Sequence, residues 1–378
     1  MMPVWCEIRL DYLIDNYNEI KKCVGEQVEL MPIIKADAYG HGAIECAKTL
    51  VQNGAKRFAV ARVDEGIQLR NAGIRCPILI LGYISNDEIR ELLEWDLTPT
   101  VYHIDFAREL SKQTAKTVKI HIKLDTGMGR LGFRGIKESV KSIEDIYTMD
   151  NLVVEGIYSH FATSDEKDKS YSLSQMESFE EVLKLLTKRR IDIPTKHLSN
   201  SAAIMDLPTS QYNIVRPGII LYGMYPSEEV NKEKISLKPV KSFKTRIANL
   251  KKIYSGDSVS YGRKYIAEDE RLIATLSVGY ADGYSRLLSN KGEVLIRGQR
   301  AKIVGRICMD QCMVDVTHIS QVKVNDEVLL YGPGLPIEEL AEKMGTINYE
   351  VSCMISPRVP KLYYWKKDFI NMDKNLYS

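Results

Sequence analysis

Nowhere does this chain run far without a charge. Its longest uncharged stretches, such as Cys76 to Asn86, reach about eleven residues, whereas a membrane-spanning helix needs roughly 20. A spanning helix is therefore excluded, and no membrane partner is expected. The 7 cysteines (Cys6, Cys23, Cys46, Cys76, Cys308, Cys312 and Cys353) are odd in number and lack CxxC spacing, which excludes a disulfide scaffold and fits reduced, buried thiols. Charge of either sign is not in excess: 52 Lys and Arg against 50 Asp and Glu leave a net +2. That balance gives no electrostatic case for binding nucleic acid or an anionic membrane. The opening Met-Met-Pro-Val-Trp-Cys-Glu-Ile-Arg lacks the basic start and apolar run of a signal peptide, so a cytoplasmic location is expected. There is no HExxH motif, CxxC pair or carboxylate cluster to hold a metal, and no Walker loop or Ser-His-Asp motif for a kinase or hydrolase.

What is present is an ordinary globular composition, 44% hydrophobic and 27% charged, in 378 residues, enough for two or three domains. From Leu30 onward, apolar runs alternate with amphipathic ones. The strand candidates are Met31–Ile34, Phe58–Ala61, Pro77–Leu81, Pro99–Tyr102, Val118–Leu124, Leu152–Tyr158, Thr195–Leu198 and Asn213–Ile219. Most precede a stretch with apolar residues three and four apart, as in Ala43–Val51, Ile89–Trp95, Val140–Tyr147 and Phe179–Leu186. Eight βα units in about 190 residues predict an α/β fold, a (β/α)8 barrel of TIM type. After about Ile235 short alternating strands take over: Thr245–Leu250, Leu272–Ser277, Glu293–Ile296, Lys302–Ile307, Met313–Val316 and Glu327–Tyr331, with one helical stretch near Ile337–Met344. They predict a mostly antiparallel β domain over residues 236–378, after a barrel over residues 1–235. Val4–Arg9 precedes the barrel and is able to pair within either domain.

In such a barrel the chemistry sits at the C-terminal ends of the strands. Lys35 follows the first strand candidate, and two readings stay open: a solvated rim lysine, or a desolvated amine able to form a Schiff base. Small residues and Gly40 nearby leave room for a cofactor, and Tyr39 places a phenol within reach of any phosphate there. Asn200 and Ser201 stand where the seventh strand meets a helix over Ser201–Asp206, as a plain cap or as an anion site that Gly218 could complete by close backbone approach. Gly127-Met128-Gly129-Arg130-Leu131-Gly132 matches GxGxxG. It lies on the fifth unit rather than opening a sheet, so the expected meaning is a tight turn that aims Arg130 into the mouth, not a dinucleotide site. Alternation along the fifth strand puts Ile120, Ile122 and Leu124 on one face and His121, Lys123 and Asp125 on the other. Lys123 then points into the barrel, where a bare ammonium is costly. His160, read alone, is a structural histidine.

Taken in order, these residues resemble the alanine racemase family, fold-type III enzymes dependent on pyridoxal 5′-phosphate (PLP). The resemblance spans nearly the whole chain: Ile34-Lys35-Ala36-Asp37-Ala38-Tyr39-Gly40-His41-Gly42, Leu124 to Arg130, Ser159 to Thr163, Val215-Arg216-Pro217-Gly218, Ser260-Tyr261-Gly262, Gly279 to Gly283, Gly305 to Gln311 and Thr346 to Glu350. It implies interconversion of L- and D-alanine by two bases, Lys35 and Tyr261, one on each face of the substrate. Lys35 would also carry PLP, with Tyr39, Asn200, Ser201, Gly218 and Tyr349 around its phosphate and Arg216, beside His160, facing the pyridine nitrogen. A guanidinium does not give up its proton, so it would leave that nitrogen unprotonated.

By the same resemblance Arg130 and Met309, the latter through its backbone, would bind the substrate carboxylate, and Tyr280 and Tyr349 would narrow the pocket. Lys123 matches a position often carbamylated, which would let it pair with Arg130. Asp165, Arg286, Arg306 and Ile347 match the substrate access corridor. Tyr261 would reach the barrel mouth of a partner, so a homodimer with shared sites is implied. An ordinary phenol titrates near 10 and needs cationic neighbours to act as a base at neutral pH. A racemase of serine or another small amino acid is the alternative within this chemistry, although Tyr349 speaks against serine. A non-catalytic PLP-binding protein is the alternative outside it, but such barrel proteins lack the second domain.

Overall fold

The computed structural model describes residues 2–373, in two compact units. One contains residues 13–38 and 43–238, the other residues 2–12, 39–42 and 239–373.

Strand β1 (Val4–Arg9) opens the chain and belongs to the second unit. The first unit contains β2 (Glu29–Leu30), β3 (Phe58–Val60), β4 (Ile78–Ile80), β5 (Thr98–Val101), β6 (Val118–Lys123), β7 (Leu152–Tyr158), β8 (Thr195–His197) and β9 (Ile214–Val215). These eight strands are parallel, in the order β2-β9-β8-β7-β6-β5-β4-β3. A parallel bridge between Ile33 and Ala59 closes the wall. There Ile34 donates to the Ala59 carbonyl at 3.0 Å and Ala59 to the Pro32 carbonyl at 3.1 Å. Every residue of β3 and β4 is buried, as expected of parallel strands covered on both faces. The barrel expected from the alternation of strands and helices is thus observed.

Prolines shorten its first and last strands. Met31–Ile34 was the expected first strand, but the regular ladder is two residues earlier, because Pro32 has no N–H to give. Met31 and Ile33 still donate to the carbonyls of Val215 and Pro217, each at 2.9 Å. The expected Asn213–Ile219 strand keeps only β9: Pro217 interrupts it, and Ile219–Tyr222 coil into a 3-10 turn. The helix expected at Phe179–Leu186 is the C-terminal half of a longer one, Ser170–Lys188.

The second unit is built on β10 (Lys241–Ile253), with β11 (Ser258–Val259), β12 (Tyr265–Ile266), β13 (Arg271–Leu276), β14 (Glu293–Ile296), β15 (Gln299–Lys302), β16 (Cys312–Asp315), β17 (Glu327–Tyr331), β18 (Lys361–Trp365) and β19 (Asp368–Asp373). The start of β10 pairs with β1 and β17, and from Ile247 onward it pairs with β13, in a ladder that carries a bulge between Ile247 and Asn249. One long strand therefore pairs with three others along its length. β1 is antiparallel to β10 and parallel to β18. Ile253, Val259, Ala267, Ile273, Val304 and Met313 form a buried cluster at the far end of this unit.

After Ile34 the backbone does something the sequence does not announce. Ala36, Asp37, Ala38 and Tyr39 have φ of 51°, 53°, 55° and 55°, followed by Gly40 at 74°, a turn of left-handed helix. Each non-glycine residue in that conformation costs roughly 1–2 kcal/mol, so the turn must be held. Glu65 Oε1 accepts from the Ala36 N–H at 2.6 Å, and Asp37 Oδ1 accepts from the Ala43 N–H at 2.8 Å. Within the second unit the Tyr39 carbonyl accepts from Ser352 Oγ at 2.8 Å and from the buried Lys241 Nζ at 3.2 Å.

The GxGxxG segment is a tight turn, with Gly127, Gly129 and Gly132 at φ of 135°, 69° and 142°. A Cβ at Gly132 would stand 2.3 Å from the Asp125 nitrogen, whereas one at Gly129 would meet nothing within 4 Å. Gly132→Ala should therefore lower the stability of the chain by about 2–4 kcal/mol and Gly129→Ala by about 1 kcal/mol. Urea unfolding of both variants checks this; equal losses would contradict the close approach at Gly132.

Candidate active site

At the C-terminal mouth of the barrel, Arg216 follows β9 and is buried, with 3% of its surface exposed. Its Nη1 donates to His197 Nδ1 at 2.8 Å and to the His197 carbonyl at 2.9 Å. Its Nη2 donates to the carbonyls of Ser159 (2.7 Å) and Leu198 (2.9 Å) and to His160 Nδ1 (3.2 Å). The four Nη hydrogens are thus spread over five acceptors, none of them a carboxylate. Among the described residues nothing accepts from Nε. Burial pulls the guanidinium down to about 10, so it remains a cation at neutral pH.

Burial and that cation together set the protonation of its neighbours. Burial, with Arg216 next, holds both His160 and His197 well below the ordinary histidine range, so both are neutral. Arginine has no acceptor. His160 Nδ1 must therefore present a lone pair to Arg216, leaving the ring proton on Nε2. Lys123, at the end of β6 and 5% exposed, is lowered to about 8, first by burial and then by Arg130 and Arg216, with Lys35 adding a smaller push and only Asp125 opposing. Lys35, Lys123, Arg130 and Arg216 all act on His160 as well. The barrel thus gathers these four cationic side chains around His160. Tyr158 sits among them, its ring 5.2 Å from Arg216 and 5.7 Å from Lys123, stacked on His197 at 4.6 Å.

The remaining candidates on the barrel fall beside this cluster. Asn200 caps the helix Ser201–Asp206, accepting from the Ala203 N–H at 3.0 Å and from Ser164 Oγ at 2.9 Å. Ser201 Oγ accepts from the Gly218 N–H at 2.9 Å, which ties the seventh and eighth strand ends together. The carbonyl of Asp165 accepts from Ser227 Oγ at 2.5 Å. Arg130 lies exposed on the glycine turn.

On the second unit Tyr261, Tyr280 and Arg286 line one open cavity of about 420 Å³ with Ile307 and Cys308. Tyr261 is 70% exposed and flanked by left-handed backbone at Ser260 (φ 66°) and Gly262 (φ 71°). A Cβ at Gly262 would stand 3.0 Å from the Arg306 guanidinium, and Ser260 Oγ donates to the Arg306 carbonyl at 2.6 Å. Tyr280 and Ala281 donate their N–H groups to the carbonyls of Cys308 (3.1 Å) and Met309 (3.0 Å). Among the described residues nothing accepts from the Met309 N–H. Tyr39 and Tyr349 face each other with ring centres 6.2 Å apart, and Ile347, 61% exposed, precedes the helix Asn348–Cys353 that carries Tyr349.

Sequence reasoning missed the residues that support these. Arg358 donates from Nε to the buried Asp282 and from Nη2 to Asp310, each at 2.8 Å, and so braces the segments holding Tyr280 and Met309. Lys241 and Ser352 brace Tyr39. None of them lies in a motif, and the chain separation in each case hides the contact. His197 sat in a strand candidate without being singled out.

The comparisons bear on all of this. The family model "Alanine racemase, N-terminal domain" matches residues 8–226, and "Alanine racemase, C-terminal domain" matches residues 240–363. An alanine racemase of Desulforamulus reducens is 50% identical over 365 residues, covering 96% of this chain and 99% of its own. One of Clostridium novyi is 51% identical over 371 residues, covering 96% of each. Among solved structures, an alanine racemase of Clostridium difficile superposes with a TM-score of 0.96 at 42% identity, over 100% of this chain and 99% of its own. One of Bacillus anthracis with bound L-Ala-P gives 0.94 at 37%, over 100% and 98%.

The lowered Lys123 carries a sign for stability. Its folded pKa, about 8, lies below the unfolded value, 10.5, so between those pH values the unfolded chain holds more protons and stability rises with pH. Lys123→Met removes that term. In bicarbonate-free buffer the parent should gain about 2–3 kcal/mol relative to Lys123→Met between pH 7.5 and 10.5. Chemical denaturation of both proteins across that range measures it; a constant difference would contradict the desolvated, cation-crowded position.

Proposed function

The chain belongs to the alanine racemase family, and from that membership we propose that it interconverts L-alanine and D-alanine with PLP held at the barrel mouth. The observation that carries the reading is the state of Arg216: both its Nη groups are committed to protein acceptors while Nε is engaged by none of the described residues. That leaves one fixed N–H donor suited to an unprotonated pyridine nitrogen. The surplus of cations at the mouth fits an anionic cofactor and a carboxylate substrate. Bound PLP would supply the electron sink that acidifies the substrate Cα–H.

The residues of this chain would divide the work as follows. Lys35 would anchor the cofactor and move a proton at Nζ on one face of the substrate. Tyr261 of a partner subunit would move it at the phenol oxygen on the other, since a single base would have to carry the proton around the substrate. His160, neutral with its proton on Nε2, would donate to that phenol oxygen and orient it. Tyr39, Asn200, Ser201, the Gly218 backbone and Tyr349 would surround the phosphate. The Met309 N–H and Arg130 would bind the substrate carboxylate, and Tyr280 with Tyr349 would limit the side chain to about a methyl group. Lys123, as a carbamate, would turn a costly buried cation into an anion paired with Arg130. Asp165, Arg286, Arg306 and Ile347 would line the access corridor. The active unit would be a homodimer, and a reducing cytoplasm suits its seven free thiols.

A chirality-resolved turnover assay on a panel of L-amino acids tests the activity, and borohydride reduction followed by peptide mass spectrometry tests the anchor. The label should fall on Lys35. Tyr261→Phe should keep the cofactor and lose about 10²–10⁴-fold in rate, whereas parental rates in both directions would refute its role. Mixing Lys35→Ala with Tyr261→Phe protein should restore activity once subunits exchange, because some shared sites then carry neither lesion. No recovery despite demonstrated exchange would place both bases on one chain.

A further inference from the structure

A line of polar side chains leads away from Arg216 down the inside of the barrel. His197, at the end of β8, accepts from Arg216 Nη1 on Nδ1. Because His197 is neutral and Arg216 supplies that hydrogen, the proton of His197 lies on Nε2. Nε2 stands 2.8 Å from His121 Nδ1 in β6, so His121 must present a lone pair there. Burial holds His121 below the ordinary range, and its single proton then lies on its own Nε2, which faces Glu155 Oε2 at 3.5 Å. Glu155, in β7, is held down to about 2, first by His121. Both hydrogen bonds of the series, from Arg216 to His197 and from His197 to His121, thus point the same way, and they end at a ring N–H that faces a carboxylate.

Two further features show that the line is built in. A Cβ at Gly156 would stand 2.3 Å from His121 Nδ1, so only glycine lets the imidazole lie against that strand. The ring of Tyr158 is stacked on His197 within 10° of parallel, with its hydroxyl 2.9 Å from Thr100 Oγ, which fixes the second imidazole. Among the described residues no carboxylate accepts from Arg216, and this series leads from it to one.

We propose that Glu155 is a positioning residue for Arg216, acting through His121 and His197: its carboxylate fixes both imidazole tautomers so that an acceptor nitrogen always faces the guanidinium. With Glu155 in place, Arg216 is anchored on Nη1 and its Nε–H keeps one direction. Without it His121 can place its proton on Nδ1, His197 can follow, and a hydrogen would then oppose Arg216 Nη1. The inference rests on the reading that Arg216 faces the cofactor ring, but its structural half stands on the barrel alone.

The test uses holoenzyme labelled with ¹⁵N in its 6 histidines, comparing the parent with Glu155→Leu, Glu155→Gln and Lys119→Met. In the parent, His121 and His197 should both be Nε2–H tautomers. Glu155→Leu should mix the tautomers of both, lower kcat about ten-fold with KM changed less than two-fold, and raise the pyruvate formed per racemisation. Glu155→Gln, which can offer its amide oxygen to His121, should restore the tautomers and most of kcat. Lys119 also pairs with Glu155, at 2.8 Å, and Lys119→Met should leave every readout parental. Glu155→Asp, which keeps the charge and withdraws it from His121, should act in the direction of Glu155→Leu and serves if the leucine variant does not fold. Parental tautomers and kinetics in Glu155→Leu would overturn the proposal, as would a Lys119→Met variant that reproduces its losses. If the parent does not racemise alanine the proposed function falls, while the tautomers still decide the relay.

Discussion

A guanidinium buried without a carboxylate beside it is the constraint on which the barrel mouth depends. Removing such a charge from water costs several kcal/mol, and here five acceptors, three of them backbone carbonyls, take the place of the lost water. Arg216 fixes its surroundings in return. Burial, with Arg216 next, keeps His160 and His197 neutral; Arg216 presents hydrogens to Nδ1 of each and, after burial and Arg130, helps push Lys123 toward its uncharged form. Sites that perturb several ionisable groups in one direction are characteristic of functional centres. This one gathers Lys35, Lys123, Arg130 and Arg216, with Asp125 as the opposing charge acting on Lys123.

The left-handed turn after Ile34 is the second cost, and it is met differently. Four non-glycine residues held at positive φ would relax if nothing constrained them. Carboxylates of Glu65 and Asp37 take the amides of Ala36 and Ala43, while the Tyr39 carbonyl draws donors from Ser352 and from Lys241, an ammonium only 4% exposed. Strain stored in this way sets the direction of the chain immediately after Lys35.

The barrel was legible because parallel strands buried on both faces are continuous apolar runs, and helices between them repeat every three to four residues. Phe58–Val60, Ile78–Ile80 and Leu152–Tyr158 were placed within a residue or two for that reason. Strands meeting Pro32 and Pro217 were overextended, because an apolar run says nothing about whether its amides can enter a ladder. Lys35, Lys123 and Arg216 were each recognisable as polar residues at the ends of apolar strands. Their crowding around His160 was not, since the strands that bring them together are up to 181 positions apart in the chain.

By itself the sequence determined the order of elements, the change from α/β to antiparallel texture, the polar residues at the strand ends, and the family those motifs belong to. These follow from local patterns of side-chain polarity and from contiguous motifs, which need no knowledge of distant contacts. Tertiary structure decided the rest: which nitrogen of each histidine bears a proton, how far Lys123 is lowered, that Ala36 to Tyr39 turn left-handed, and that Arg358, Lys241 and Glu155 stand behind the candidate residues. Such properties arise from burial and from charges and donors brought within a few ångströms by folding. Electrostatic energy depends on that separation and on the exclusion of water, and neither quantity is written in the order of the residues.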